Sequence, residues 1–301
     1  MYSLKTKSLG FPNDQAQINP ETGELWFFDG PRLNTFNGKE IALIHLFPCE
    51  SPGRLIHFTD RGGILVSLEK CGEVLLSEDE GKSFRTVLRF RNPTSFALNW
   101  AVEDWHEAIL LGEYHHERIK SARVYRSFDG GVTWQPLFNY SAYEHIHMIR
   151  ADPFSDDLYI SAGDKPKNVF VTDNSWSFDI VEPRNKGLMS IGFTPEAVYF
   201  GTDRASGNFQ IRSDRRGGVL RHDFEPSKDL MIYDFAYFGG MLLSTNRLSR
   251  NLQEERVENK PCIIYADSQE VLSEADAFYF TNVLNGTIYT ARTDNTLMLQ
   301  H

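Results

Sequence analysis

The chain has 301 residues, 41% of them apolar and 13% aromatic, with 22 glycines and 13 prolines. Its formal net charge of −10 argues against a broad nucleic-acid surface, where phosphate neutralisation by Lys and Arg supplies most of the affinity, although local basic patches stay open. No stretch approaches the roughly 18 apolar residues of a membrane-spanning helix, so no membrane partner is expected.

Met1-Tyr-Ser-Leu-Lys-Thr-Lys7 lacks the apolar run of a secretory leader. Cys49, Cys71 and Cys262 cannot all pair, and they sit in no metal-ligand spacing. A reducing, cytoplasmic setting is the simpler expectation, and a secreted form whose leader had been removed would read the same.

In chain order, the elements begin with a spare strand from Tyr2 to Leu9. Strongly apolar strands then recur, starting at Glu24 (Glu-Leu-Trp-Phe-Phe), Gly63 (Gly-Ile-Leu-Val-Ser), Ala108 (Ala-Ile-Leu-Leu-Gly), Leu158 (Leu-Tyr-Ile-Ser-Ala), Ala197 (Ala-Val-Tyr-Phe-Gly), Met241 (Met-Leu-Leu-Ser-Thr) and Thr287 (Thr-Ile-Tyr-Thr-Ala). Their starts lie 39, 45, 50, 39, 44 and 46 residues apart, and seven units of about 43 residues fill the 301. A strand buried on both faces by neighbouring sheets, repeated at such a period, is the mark of a propeller. Turn sequences stand just before these strands: Asn19-Pro-Glu-Thr-Gly23, Asp152-Pro-Phe-Ser-Asp-Asp157, Thr194-Pro-Glu196, Phe238-Gly-Gly240 and Leu284-Asn-Gly286. The nearest approach to a helical pattern, the Arg- and Glu-rich insert from Ser249 to Val257, reads as a solvated loop.

The expected fold is therefore all-β: one domain over residues 1–301, a seven-bladed β-propeller with four-stranded antiparallel blades. A six-bladed count is the alternative and requires demoting one of the seven strands. The last unit, Phe278 to His301, has room for only three strands. The N-terminal segment is expected to close it as its outermost strand, which removes exposed sheet edges.

Two segments, Ser77-Glu-Asp-Glu-Gly-Lys-Ser-Phe84 and Ser127-Phe-Asp-Gly-Gly-Val-Thr-Trp134, share the pattern Ser-x-Asp-x-Gly-x-Ser/Thr-aromatic. The Asp caps its own turn, the Gly supplies a positive φ and the aromatic seals the hairpin. A degraded third copy, Thr172-Asp-Asn-Ser-Trp-Ser177, keeps Asp173 and Trp176 but lacks the Gly. These motifs resemble those of the Asp-box family, also called sialidase-like or bacterial neuraminidase repeats. The resemblance implies a propeller whose Asp-box turns join the third and fourth strands of a blade. The ligand funnel then lies on the opposite face, with the second-to-third loops and the blade-to-blade links.

On that face the richest loop is Gly112-Glu-Tyr-His-His-Glu-Arg-Ile-Lys120, carrying Glu113, Tyr114, His115, His116 and Arg118. Of the adjacent pair His115 and His116, which point opposite ways if extended, at most one is expected to matter. Tyr143-Glu-His-Ile-His147 places His145 and His147 on one side of a strand. The next two apolar strands end in Asp164 and Asp203. Together with Arg212, this run resembles an Asp-box subgroup labelled glycosyl hydrolase-like, over about residues 60 to 220. The same rim carries Arg118, Lys120, Arg123, Lys165, Lys167, Arg184, Lys186 and Arg204 against Glu113, Glu117, Glu144, Asp164 and Asp203, an excess of positive charge suited to an acidic sugar. Gly30-Pro-Arg-Leu33 and Gly53-Arg-Leu55 are the nearest matches to the Arg-Ile-Pro motif of true sialidases, and neither has the proline, so authentic sialidase activity is not expected.

Two mechanisms suit these residues. In hydrolysis, carboxylates about 5 to 9 Å apart flank a glycosidic bond, with Glu113 and Asp164 or Asp203 as the pair. In β-elimination of a uronate, His145 or His147 and Tyr114 exchange protons while Arg118, Lys165, Arg204 or Arg212 holds the carboxylate. No organic cofactor is implied; a divalent metal on His145, His147 and a carboxylate is a weaker idea. The competing classes are a non-catalytic propeller that binds a glycan or protein on the same rim, and a structural component of a larger assembly. Oligomeric state is not legible.

Overall fold

The structure, a computed structural model, describes residues 5–8, 15–118, 120–164, 167–172, 176–181 and 188–202, and beyond them the strand backbones of 209–212, 220–224, 230–238, 241–248, 262–266, 269–275, 279–284, 287–291 and 296–300. The chain divides into two compact units. The N-terminal unit comprises Gly10–Arg150 with Ala291–Thr296; the C-terminal unit comprises Ala151–Thr290 with Met1–Leu9 and Leu297–His301.

After β1 (Lys5–Ser8), the N-terminal unit is built from four-stranded sheets whose strands lie side by side in chain order. The first holds β2 (Gln15–Ile18), β3 (Leu25–Asp29), β4 (Arg32–Phe36) and β5 (Ile41–Leu46). The second holds β6 (Gly53–Phe58), β7 (Ile64–Leu68), β8 (Glu73–Ser77) and β9 (Arg85–Arg89). The third holds β10 (Val102–Trp105), β11 (Ala108–Gly112), β12 (Ala122–Ser127) and β13 (Gln135–Tyr140), and β14 (His145–Ala151) carries the chain to the unit boundary. All pairings within these three sheets are antiparallel.

In the C-terminal unit β15 (Leu158–Gly163), β16 (Asn168–Thr172) and β17 (Asp179–Ile180) pair in succession. Next come a sheet of β18 (Leu188–Phe193), β19 (Val198–Thr202), β20 (Phe209–Arg212) and β21 (Leu220–Phe224), and one of β22 (Leu230–Phe238), β23 (Met241–Leu248), β24 (Cys262–Ala266) and β25 (Gln269–Ala275). The last strands, β26 (Tyr279–Leu284), β27 (Thr287–Ala291) and β28 (Thr296–Gln300), are joined by β1 in the order β1-β28-β27-β26. Lys5 faces Gln300 and Ser8 faces Leu297, so the N-terminal strand is the outer member of the last sheet, where the sequence puts it. The seven apolar strands read from the sequence are β3, β7, β11, β15, β19, β23 and β27. The insert from Ser249 to Val257 lies outside the described residues. No helix among the described residues is long and apolar enough to cross a membrane.

Burial explains the composition of these strands. β7, β11 and β15 are buried at every position, because other elements cover both faces and leave no side for water. Outer strands β5, β9 and β17 are mostly exposed or half-buried, and β5 leaves Ile41, Leu43 and Leu46 at the surface. The core of the N-terminal unit is accordingly a series of layers between adjacent sheets. One layer joins Trp26, Phe28 and Leu33 of the first sheet to Ile56, Ile64 and Val66 of the second. The next joins Leu55, Leu65 and Leu76 of the second sheet to Val102, Ile109 and Leu111 of the third.

Turns are held by their own side chains. Before β3, β7, β15 and β19, an oxygen of Asn19, Thr59, Asp152 or Thr194 accepts backbone N–H groups two to four residues on. The two Ser-x-Asp-x-Gly turns are near duplicates. The Ser77 hydroxyl donates to Asp79 (2.8 Å) and accepts from the Gly81 N–H (2.8 Å), while Asp79 accepts from the Ser83 N–H (2.9 Å) and hydroxyl (2.6 Å). Ser127, Asp129, Gly131 and Thr133 repeat this at 2.7, 2.8, 2.8 and 2.6 Å. Both turns join a third to a fourth strand, β8 to β9 and β12 to β13. Each also reaches the preceding sheet. A Cβ on Gly81 would meet Ile44 at 2.7 Å, and one on Gly131 would meet Leu65 at 2.9 Å. Phe84 packs into the layer between sheets one and two, and Trp134 into the next. The degraded copy follows β16; its Asp173 lies outside the described residues.

Candidate functional site

The strand-end residues of the N-terminal unit fall into a buried group and an accessible one. Glu113, just beyond β11, is fully buried. Ser95 donates to one carboxylate oxygen at 2.7 Å; Tyr125 and Arg123 donate to the other at 3.3 and 3.5 Å. Its N–H donates to the Arg123 carbonyl, and its carbonyl accepts from the Ile146 N–H. Burial, and then the charge of Glu113, push the Tyr125 hydroxyl up to about 12. The carboxylate thus ties β12 and Ser95 to the end of β11, the Glu113 carbonyl ties in β14, and neither carboxylate oxygen is exposed. Glu113, expected from sequence as a hydrolytic carboxylate, stands with both oxygens engaged by Ser95, Tyr125 and Arg123. Arg123, counted on the rim from sequence, is the buried partner of that carboxylate.

Tyr114 follows, and its side chain is half-buried. Its backbone forms a two-way bridge with Phe96, at 2.9 Å in each direction. Its ring stacks on His145 at 4.2 Å between centroids and 30° between planes. His147 stands edge-on to His145 at 4.6 Å and 89°. The alternation of β14 puts both imidazoles on one side, as the His-x-His spacing predicts, and both are buried. His145 Nδ1 lies 3.1 Å from the His115 carbonyl, which can only accept, so in the neutral ring the lone pair is on Nε2.

His115 and His116 part company, as their adjacency predicts. His115 is fully buried with Nδ1 donating to the Glu117 carbonyl at 2.7 Å. The His116 side chain is 57% exposed, and its Nε2 lies 3.3 Å from Glu69 Oε1. Its ring lies 5.6 Å from Tyr114 and 5.4 Å from Phe96. Glu69 in turn accepts from Arg54, with Nε at 2.8 Å and a second guanidinium N–H on the same oxygen, and Lys70 stands 3.8 Å away. Burial acts to raise the Glu69 carboxyl, but the Arg54 hydrogen bond and charge, with His116 and Lys70, outweigh it and hold the group below its ordinary value.

Glu69 was not among the residues singled out from sequence. A signal was present: Glu69 is the first residue past β7, as Glu113 is past β11, Asp164 past β15 and Asp203 past β19. Arg118 is exposed on the same loop as Tyr114. Asp164 belongs to the C-terminal unit, where it is half-exposed and pairs at 3.0 Å with Lys167, itself 5% exposed. Lys167 is thus not free charge for a ligand. Lys165, Asp203 and Arg204 lie outside the described residues; Arg212 ends β20, where only the backbone is described.

The architecture of four-stranded antiparallel sheets with double-faced inner strands is that of the β-propeller class, and comparison with solved structures places it there. The chain is similar to virginiamycin B lyase from Staphylococcus aureus at 13% identity and a TM-score of 0.70, covering 99% of this chain and 100% of that one. It is similar to YCF48 from Cyanidioschyzon merolae at 12% identity and a TM-score of 0.69, covering 99% of both. YCF48 bound to D1 peptide matches at 10% identity and a TM-score of 0.67, over 100% of this chain and 98% of that one. No protein-family profile matches the chain, and no curated protein does. At such identities the likeness shows the fold alone.

Proposed function

We infer that this chain is an Asp-box propeller that cleaves an acidic, uronate-containing glycan by β-elimination. In this reading the sheets are seven blades of one propeller, with β1 as the outermost strand of the last. The strand spacings, the β1–β28 pairing and the duplicate Ser-x-Asp-x-Gly turns support that part.

The observation that carries the chemistry is the set of proton-transfer groups around Tyr114: His145 stacked beneath it, His147 beside that ring, and the exposed His116 paired with Glu69, which Arg54 holds from its other oxygen. Hydrolysis by paired carboxylates draws less support, because Glu113 is enclosed. In the elimination, Lys70 and Arg118 face the uronate carboxylate and acidify the proton at C5. His116, oriented by Glu69, takes that proton; the C5–H electrons form the C4–C5 double bond as the C4–O bond breaks, and Tyr114 protonates the departing oxygen. His145 and His147 fix the Tyr114 ring. Virginiamycin B lyase is a lyase by name, and its histidine-to-alanine variant is described as catalytically inactive, which is compatible with this assignment.

A panel of acidic oligosaccharides, read both by absorbance of unsaturated uronates and by new reducing ends, tests the proposal. Tyr114→Phe and His116→Ala should each lower kcat about 100-fold or more, whereas Glu113→Gln should act mainly on stability. Reducing ends without unsaturation would replace elimination by hydrolysis. Binding without turnover would make the rim a glycan-recognition surface.

A further inference from the structure

Cys49 lies on the link between β5 and β6, and Cys71 on the turn between β7 and β8. They are 22 residues apart in sequence, yet their sulfurs lie 3.4 Å apart. Both are free thiols and half-buried, and both pack against the layer formed by Trp26, Phe28 and Phe47, at the seam of the first two sheets. A disulfide needs about 2.05 Å between sulfurs, a closure of little more than one ångström at two loop positions. Partial exposure leaves a path for a small reagent.

We propose that Cys49 and Cys71 form a reversible thiol–disulfide site, oxidised by a low-molecular-weight disulfide and reopened by a low-molecular-weight dithiol. Burial, and then the neighbouring Cys49, push the Cys71 thiol up to about 12, so it is protonated at neutral pH and is the poorer first nucleophile. Cys49 therefore attacks first. Its thiolate displaces one thiol from the reagent and forms a mixed disulfide. The Cys71 sulfur, losing its proton to water, attacks Cys49 Sγ and displaces the second thiol. Two protein thiols and one reagent disulfide thus become one protein disulfide and two reagent thiols. The cross-link staples the inter-sheet link to the turn that carries Glu69 and Lys70.

The full-length chain with Cys262→Ser is incubated with oxidised glutathione, then mapped by mass spectrometry and thiol titration. The expected result is loss of two hydrogens, a peptide linking Cys49 to Cys71, and a melting temperature higher by about 5 °C that dithiothreitol reverses. Adding Cys49→Ser or Cys71→Ser should abolish both the link and the shift. Retention of both thiols, or a glutathione adduct that persists on either cysteine without the linked peptide, would overturn the proposal.

Discussion

Asp79 and Asp129 have carboxyls held at about 2 against an ordinary 3.8. For Asp79 the Ser83 hydroxyl and N–H lead the causes; for Asp129 burial acts the other way and the same pair of bonds from Thr133 overcomes it. Because the folded values are depressed, the stabilisation is complete above the unfolded value and is lost as pH falls from about 4 through about 2. Tryptophan fluorescence across that window should show acid unfolding, with a shallower pH dependence in Asp129→Asn; an unchanged slope would contradict the assignment. These turns were legible because all their bonds span four residues or fewer. The enclosure of Glu113 was not legible, for the opposite reason. A carboxylate at a strand end signals either a ligand group or an internal tie, and only the arrival of Ser95 and Arg123 decides between them. Glu69 escaped notice because Arg54 and His116 come from other elements.

The hairpin from Ser127 to Trp134 is also a clasp between sheets. Gly131 has φ +89°, and its missing Cβ is the space taken by Leu65 of the second sheet. Trp134 donates its indole N–H to the Gly131 carbonyl at 2.9 Å and packs into the same layer. Gly131→Ala therefore combines left-handed strain with crowding. It should cost about 2–4 kcal/mol, read as a lower urea midpoint with little change in slope; an unaffected midpoint would show that the turn does not bear on the neighbouring sheet. The pattern Ser-x-Asp-x-Gly-x-Ser/Thr-aromatic revealed the turn's internal bonds but not its neighbour. Nothing local distinguishes an aromatic that covers its own hairpin from one that reaches across.

The strand repeat was the most legible property of the whole chain, since burial on both faces leaves a dominantly apolar run, as at β7, β11 and β15. The rim was legible only in part. Tyr114 and the His145/His147 pair are brought together, while the charge count failed where Arg123 and Lys167 turn inward. Deleting the first eight residues removes β1 and bares the edge of β28. Thermal melts and size-exclusion chromatography should then show a lower melting temperature and more aggregate than the intact chain, and identical behaviour would deny that pairing any weight. There is a further outcome for biosynthesis. The β1 segment is synthesised long before its partner β28, so until β28 emerges it is an unoccupied template, and the last sheet closes only once both strands have been made.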